Sequence, residues 1–187
     1  PSAALNIVKA GNGWATLTVD NDYTGTTTVA AGVLQVGKAN IGDTGAPTAA
    51  GTTVLSGATL AGTGVVQGAS TINSGGFVNP GDLAGSAQGT LTFNGDATFA
   101  SGSTLTMQVQ RASYNDAPYV GYDAGAAYTT WINGIPTDAY STALTDPVLT
   151  SQHDKISVLG TLTWAAGTKV TLVNNGYTPV AGDIFNL

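Results

Sequence analysis

Residues 57–82 read GATLAGTGVVQGASTINSGGFVNPGD, and no other stretch constrains the chain as tightly. Short apolar pieces (Thr59-Leu60, Val65-Val66, Thr71-Ile72, Phe77-Val78) alternate with glycine, serine and asparagine turns. None is long enough for a helix or carries a period near 3.6, so each reads as a short strand closed by a tight bend. Glycine recurs at 57, 62, 64, 68, 75 and 76, and glycine accepts the positive φ that such bends require. A chain that turns every few residues cannot build a sheet of long strands. It can coil, each turn lying on the one before, and the stretch therefore predicts a β-solenoid.

The rest of the chain fits this reading. Pairs at period-2 spacing recur at Leu5-Ile7, Leu17-Val19, Thr27-Val29 and Leu34-Val36, and each pair is expected to point into the coil. VAAGVLQVG (29–37), TVLSGATLAGTG (53–64) and ATFASGSTLTMQV (97–109) share one pattern, and KISVLGTLTWAAGTKVTLV (155–173) carries it twice. Repetition at roughly 20 residues is the mark of stacked units that bury their apolar faces on one another. About seven such rungs make a rod about 35 Å long. The expected interior contains Val29, Leu34, Val36, Leu60, Leu91, Phe93, Leu105, Met107, Ile156, Val158, Leu162, Val170 and Leu172. Three segments follow: rungs with an extended N-terminal strand over 1–110, an excursion over 111–152, and closing rungs over 153–187.

Composition excludes several functions. The net charge is -6, and five basic residues (Lys9, Lys38, Arg111, Lys155, Lys169) are scattered, so a nucleic-acid backbone has nothing to grip. No apolar run approaches the ~20 residues of a membrane span. With no cysteine there are no disulfides, thiol nucleophiles or thiolate metal sites. An acidic, charge-poor chain rich in Thr, Gly and Ala suits the outside of a bacterial cell.

Candidate chemistry is sparse. The single histidine, in Ser151-Gln152-His153-Asp154, has neighbours that alternate faces, so they cannot form a relay, and His153 reads as a turn residue entering the next rung. No adjacent aspartate pair suggests acid–base work on a polysaccharide. Asp82, beside glycine, is accounted for by turn chemistry. Asp20 and Asp22 open a sequence like a calcium loop, but position 12 is Ala31 where a bidentate glutamate is needed, leaving a weak surface candidate. No cofactor is indicated. The excursion holds five of the seven tyrosines, and Tyr119, Tyr122, Tyr128 and Trp131 are the expected contact anchors. A plug over an open face of the coil and a sugar-stacking platform are the other readings of this segment. The extended apolar ends, with Leu5 and Ile7 at one and Phe185 and Leu187 at the other, are expected to pair with a neighbouring copy. The bland alternative is that these ends are covered by further rungs of a longer protein.

Tyr23, Gly25, Thr27, Val29, Gly32, Leu34 and Gly37, then Leu60, Gly62, Gly64, Gly75, Gly76, Pro80, Gly81, Leu91 and Phe93, carry the motif of a known family. Over about 20–110 and 153–187 the chain resembles the autotransporter-associated β-strand repeat. The resemblance implies a right-handed parallel β-helix, export across a Gram-negative envelope and display outside the cell. The function expected is non-enzymatic: an extracellular structural or adhesive surface protein, a protomer of a self-assembling filament. The alternative is a glycan- or receptor-binding adhesin segment of a larger passenger, facing a host or neighbouring cell. A polysaccharide-degrading β-helical enzyme ranks behind both.

Overall fold

The computed structural model describes residues 4–37, 44–45, 50–83, 88–110, 131–132, 135–136 and 152–174. Among them every regular element is a strand. In chain order these are β1 (Ile7–Lys9), β2 (Trp14–Leu17), β3 (Thr26–Val29), β4 (Gly32–Val36), β5 (Gly51–Val54), β6 (Ala58–Gly62), β7 (Val65–Gln67), β8 (Ser70–Ile72) and β9 (Phe77–Pro80). There follow β10 (Thr90–Asn94), β11 (Ala97–Phe99), β12 (Thr104–Gln110), β13 (Trp131–Ile132), β14 (Ile135–Pro136), β15 (Gln152–His153), β16 (Lys155–Val158), β17 (Leu162–Trp164) and β18 (Lys169–Asn174). The chain separates into two units, Pro1–Gln110 with His153–Leu187, and Arg111–Gln152. In the second, β13 and β14 pair antiparallel, Trp131 opposite Pro136.

In the first unit the strands form three sheets. One runs β1-β3-β5-β8-β11-β17, the second β2-β4-β6-β9-β12 with β15 and β18 also on β12, and the third β7-β10-β16. The chain visits them in a fixed order: β5, β6, β7, then β8, β9, β10, then β11, β12, β16, then β17, β18. Apart from β15 on β12, the paired strands in these sheets run parallel. A parallel neighbour requires a crossover, and here the other sheets supply it in place of a helix. In these parallel pairs a strand lies beside its counterpart from the neighbouring pass of the chain, and the parallel sheets are consistent with a β-solenoid.

Register stacks like on like. Val29, Val54, Ile72, Phe99 and Trp164 are successive partners in the first sheet. Leu34, Leu60, Val78, Leu105 and Val170 are successive partners in the second, and Val66, Phe93 and Val158 in the third. Because side chains alternate at period 2, these columns share one face, and from Val29 to Phe99, Leu34 to Leu105 and Val66 to Phe93 they form a continuous core. Each large side chain fully buried there contributes about 1.5–3 kcal/mol.

The expected interior divides in two. Val29, Leu34, Val36, Leu60, Leu91, Phe93, Leu105 and Met107 are buried, and Ile156 and Val158 partly so. Leu162, Val170 and Leu172 are instead 45%, 47% and 44% exposed. Among the described strands, β17 pairs with β11 alone and β18 with β12 alone, so their inward side chains are covered from one side. At the other end Leu5 and Val19, expected to point inward, are also exposed: they lie outside β1 and β2, with no core column to join.

One corner between the first and second sheets repeats on four rungs. Ser56-Gly57, Ser74-Gly75, Ser101-Gly102 and Ala166-Gly167 occupy it, and each of the four glycines has φ between 75° and 88°. Their backbones form a ladder: Gly57 N–H donates to Gly75 O at 2.8 Å, Gly75 to Gly102 at 2.9 Å, and Gly102 to Gly167 at 3.1 Å. Each of the last three also abuts the serine of the rung before, so a Cβ there would strike Ser56, Ser74 or Ser101 Oγ. Gly64 and Gly76, expected to need positive φ, do not adopt it. Gly76 is small for another reason: a Cβ would lie 3.0 Å from Asn73 O and 3.1 Å from Val54 O.

Candidate functional site

The described residues offer three places where side chains do more than fill the core. The first is the re-entry of the chain at His153 and Asp154. Asp154 is completely buried. Its Oδ1 accepts from Gly89 N–H at 3.0 Å, its Oδ2 from Gln108 N–H at 2.7 Å, and its own N–H donates to Gln108 O at 2.9 Å. Lys155 N–H donates to Gly89 O at 2.9 Å, which completes the seam. Burial pushes the Asp154 carboxyl up to about 6, against the pull of the Gln108 and Gly89 N–H groups. His153 is not the expected turn residue. It lies in β15, is 6% exposed, and neither ring nitrogen has a hydrogen-bond partner. With both Asp154 oxygens committed to backbone, the pair lacks the orientation of a histidine by a carboxylate that nucleophilic catalysis uses.

The second place is the outer face of the second sheet. Gln35 Nε2 donates to Asp82 Oδ1 at 2.8 Å across two strands. A parallel contact in the third sheet joins Asn94 Nδ2 to Gln67 Oε1 at 2.8 Å. Sequence reasoning assigned Asp82 to a turn and gave Gln35 no role, because nothing local ties residues 47 positions apart.

The third place is the pair of end rungs. In the last, Leu162, Trp164, Val170 and Leu172 are inward by register yet half-exposed, and Trp164 stacks on Phe99 with ring centroids 4.7 Å apart. In the first, Leu5, Val8 and Trp14 are exposed, while Ile7 is half-buried opposite Thr27. Lys9 fastens this rung: its Nζ donates to Ala10 O, Gly11 O and Ala31 O at 3.1, 2.7 and 3.0 Å.

Of the other residues singled out in the sequence, Asp20 and Asp22 are exposed, and the described residues hold no group of three His, Cys, Asp or Glu side chains fit for a metal ion. Trp131 lies in β13. Tyr119, Tyr122, Tyr128, Phe185 and Leu187 lie outside the described residues. Among the described residues no helix is long and apolar enough to cross a membrane.

Residues 7–36 match the family model of the passenger-associated-transport-repeat. The resemblance to the autotransporter-associated repeat is thus borne out, on a segment that begins before Tyr23 and spans β1 to β4. These four strands are the first two rungs, joined by Ile7 to Thr27 and Trp14 to Val33. No curated protein and no solved structure matches the chain. A passenger-associated repeat implies a secreted or surface-exposed protein.

Proposed function

We propose that this chain is a non-enzymatic extracellular structural protein of a bacterial surface, its rungs closed into a right-handed parallel β-helix whose copies join end to end. One observation carries the reading: the inward residues of β17 and β18 are half-exposed, and among the described residues each of these strands has a single partner, β11 or β12, in the rung before. At the other end, among the described residues, β1 and β2 likewise have a single partner each, β3 and β4. A parallel edge with an apolar column behind it is a template for a further strand. Head-to-tail contact of this kind is heterologous and propagates as a filament.

Light scattering and electron microscopy of the purified protein test it. The expected result is concentration-dependent growth of thin filaments that Leu172→Asp or removal of residues 1–8 abolishes, with the β-rich circular dichroism kept. A wild type that stays monomeric at high concentration rejects assembly. The second reading, a glycan- or receptor-binding segment of a larger passenger, is favoured by the tyrosines of 111–152 and by Trp131 in its paired strand. A glycan array distinguishes the two.

A further inference from the structure

We propose that Gln35, Asn79 and Asp82 form a binding site for a divalent cation, Ca²⁺ in preference to Mg²⁺, on the outer face of the second sheet. Register brings them together. Gln35 on β4 pairs with Ala61 on β6, and Ala61 pairs with Asn79 on β9. These three alternate with the core residues Leu34, Leu60 and Val78, which places them outward. The short Ala61 side chain lets the Gln35 amide cross over it to Asp82, where Nε2 donates to Oδ1 at 2.8 Å. Although outward, Gln35 is 1% exposed and Ala61 is fully buried. The chain after β9 folds back beside them, with Gly81 N–H donating to Gly62 O at 2.9 Å.

The site has a surplus of acceptors. Gln35 Oε1 and Asn79 Oδ1 are both buried and neither receives a hydrogen bond. The Gln35 amide is not free to rotate its oxygen elsewhere, because its Nε2 is engaged by the carboxylate. Buried acceptors left unsatisfied in a folded protein mark an ion or a water. Two amide oxygens from one outward row of the register, one amide of which is joined to the Asp82 carboxylate, are hard ligands of the kind calcium takes in irregular six- to eight-fold shells completed by water. Magnesium demands a near-ideal octahedron and gives up its water reluctantly. The set lacks the thiolate or imidazole that zinc prefers. With one carboxylate, the affinity belongs at the weak end, about 10⁻⁴–10⁻³ M, where extracellular modules work. A bound ion ties β4 to β9, strands two rungs apart that do not pair directly. Neither the filament reading nor its failure bears on this site.

The test is calorimetric titration of the chelator-treated 187-residue chain with CaCl₂, with thermal melts beside it and MgCl₂ as comparison. One class of site with Kd of about 10⁻⁴–10⁻³ M and a rise in melting temperature with Ca²⁺ are expected. Asp82→Asn should weaken binding about tenfold or more, and Asn79→Ala should weaken it too, each keeping the wild-type β spectrum in chelator. Asp20→Asn should bind as the wild type does. If Asp82→Asn fails to fold, Asn79→Ala decides the matter. An unchanged melting temperature and no heat at about 10 mM CaCl₂ assign the orphaned oxygens to water and overturn the proposal. So does binding that Asn79→Ala leaves intact or that Asp20→Asn abolishes.

Discussion

Asp154 joins the start of β10 to the C-terminal half of β12 with a carboxyl that burial pushes up to about 6. A carboxyl whose folded pKa lies above its unfolded value binds protons more readily in the folded chain. Its contribution is fully present below the unfolded value of 3.8 and is lost as pH rises through about 6. Stability should therefore fall between about pH 4 and 6 by on the order of 1–2 kcal/mol, a figure discounted for screening. Asp154→Asn turns an amide N–H₂ toward a backbone donor. It should remove about 1–3 kcal/mol at pH 4 and flatten the pH dependence, as read from urea melts of both proteins at several pH values. Lys9 is the comparable fastening at the first rung, three carbonyls on one Nζ. Neither role was legible in the sequence. In the sequence Asp154 is only the neighbour of His153 in a stretch whose alternating faces preclude a relay, and Lys9 is a scattered charge, because their partners are backbone atoms brought close by rung stacking.

At the scale of the element, the corner ladder explains why glycine recurs where it does. Gly75 combines φ of 75° with a neighbour, Ser56 Oγ, in the space a Cβ would take. Gly75→Ala should destabilise by about 1–3 kcal/mol, and adding Ser56→Ala should recover the contact part but not the backbone part. Equal stability of the single and double variants in denaturant melts would reject the contact. The inward columns were legible in the sequence, since period-2 pairing placed Val29, Leu34, Leu60, Phe93 and Leu105 correctly. The sequence pattern failed in the outermost of the described rungs. Leu162, Val170 and Leu172 have the same alternation as the buried columns, but alternation fixes which face a side chain takes and not whether a rung lies over it. The Gln35–Asp82 bridge was hidden for the related reason that register across three strands is set by the lengths of the intervening loops. At the centre of the columns, Leu105→Asp should unfold the first unit, since an unpaired buried charge has no compensation there.

At the scale of the molecule, parallel rungs stack in one register within the first unit, and Arg111–Gln152 is a second unit. Asp154 and Lys155 close the seam between Gln108 and Gly89 with four hydrogen bonds made inside the first unit. Replacing 111–152 by a short Gly/Ser turn should therefore leave the β-rich spectrum and cooperative melt in place, and a chain that no longer folds would show that the excursion is a plug. The register itself can be read directly, because the chain has no cysteine of its own. Thr53, Thr71 and Thr98 are outward partners on three consecutive strands of the first sheet. Adjacent strands lie about 4.8 Å apart and every second strand roughly twice that, while a disulfide needs Cα atoms within about 7 Å. The deciding measurement is oxidation of the folded double variants Thr71→Cys/Thr98→Cys and Thr53→Cys/Thr98→Cys. The stacked-rung account predicts rapid intramolecular cross-linking of the first and none of the second. A first pair that stays reduced, or two pairs that cross-link alike, would contradict it.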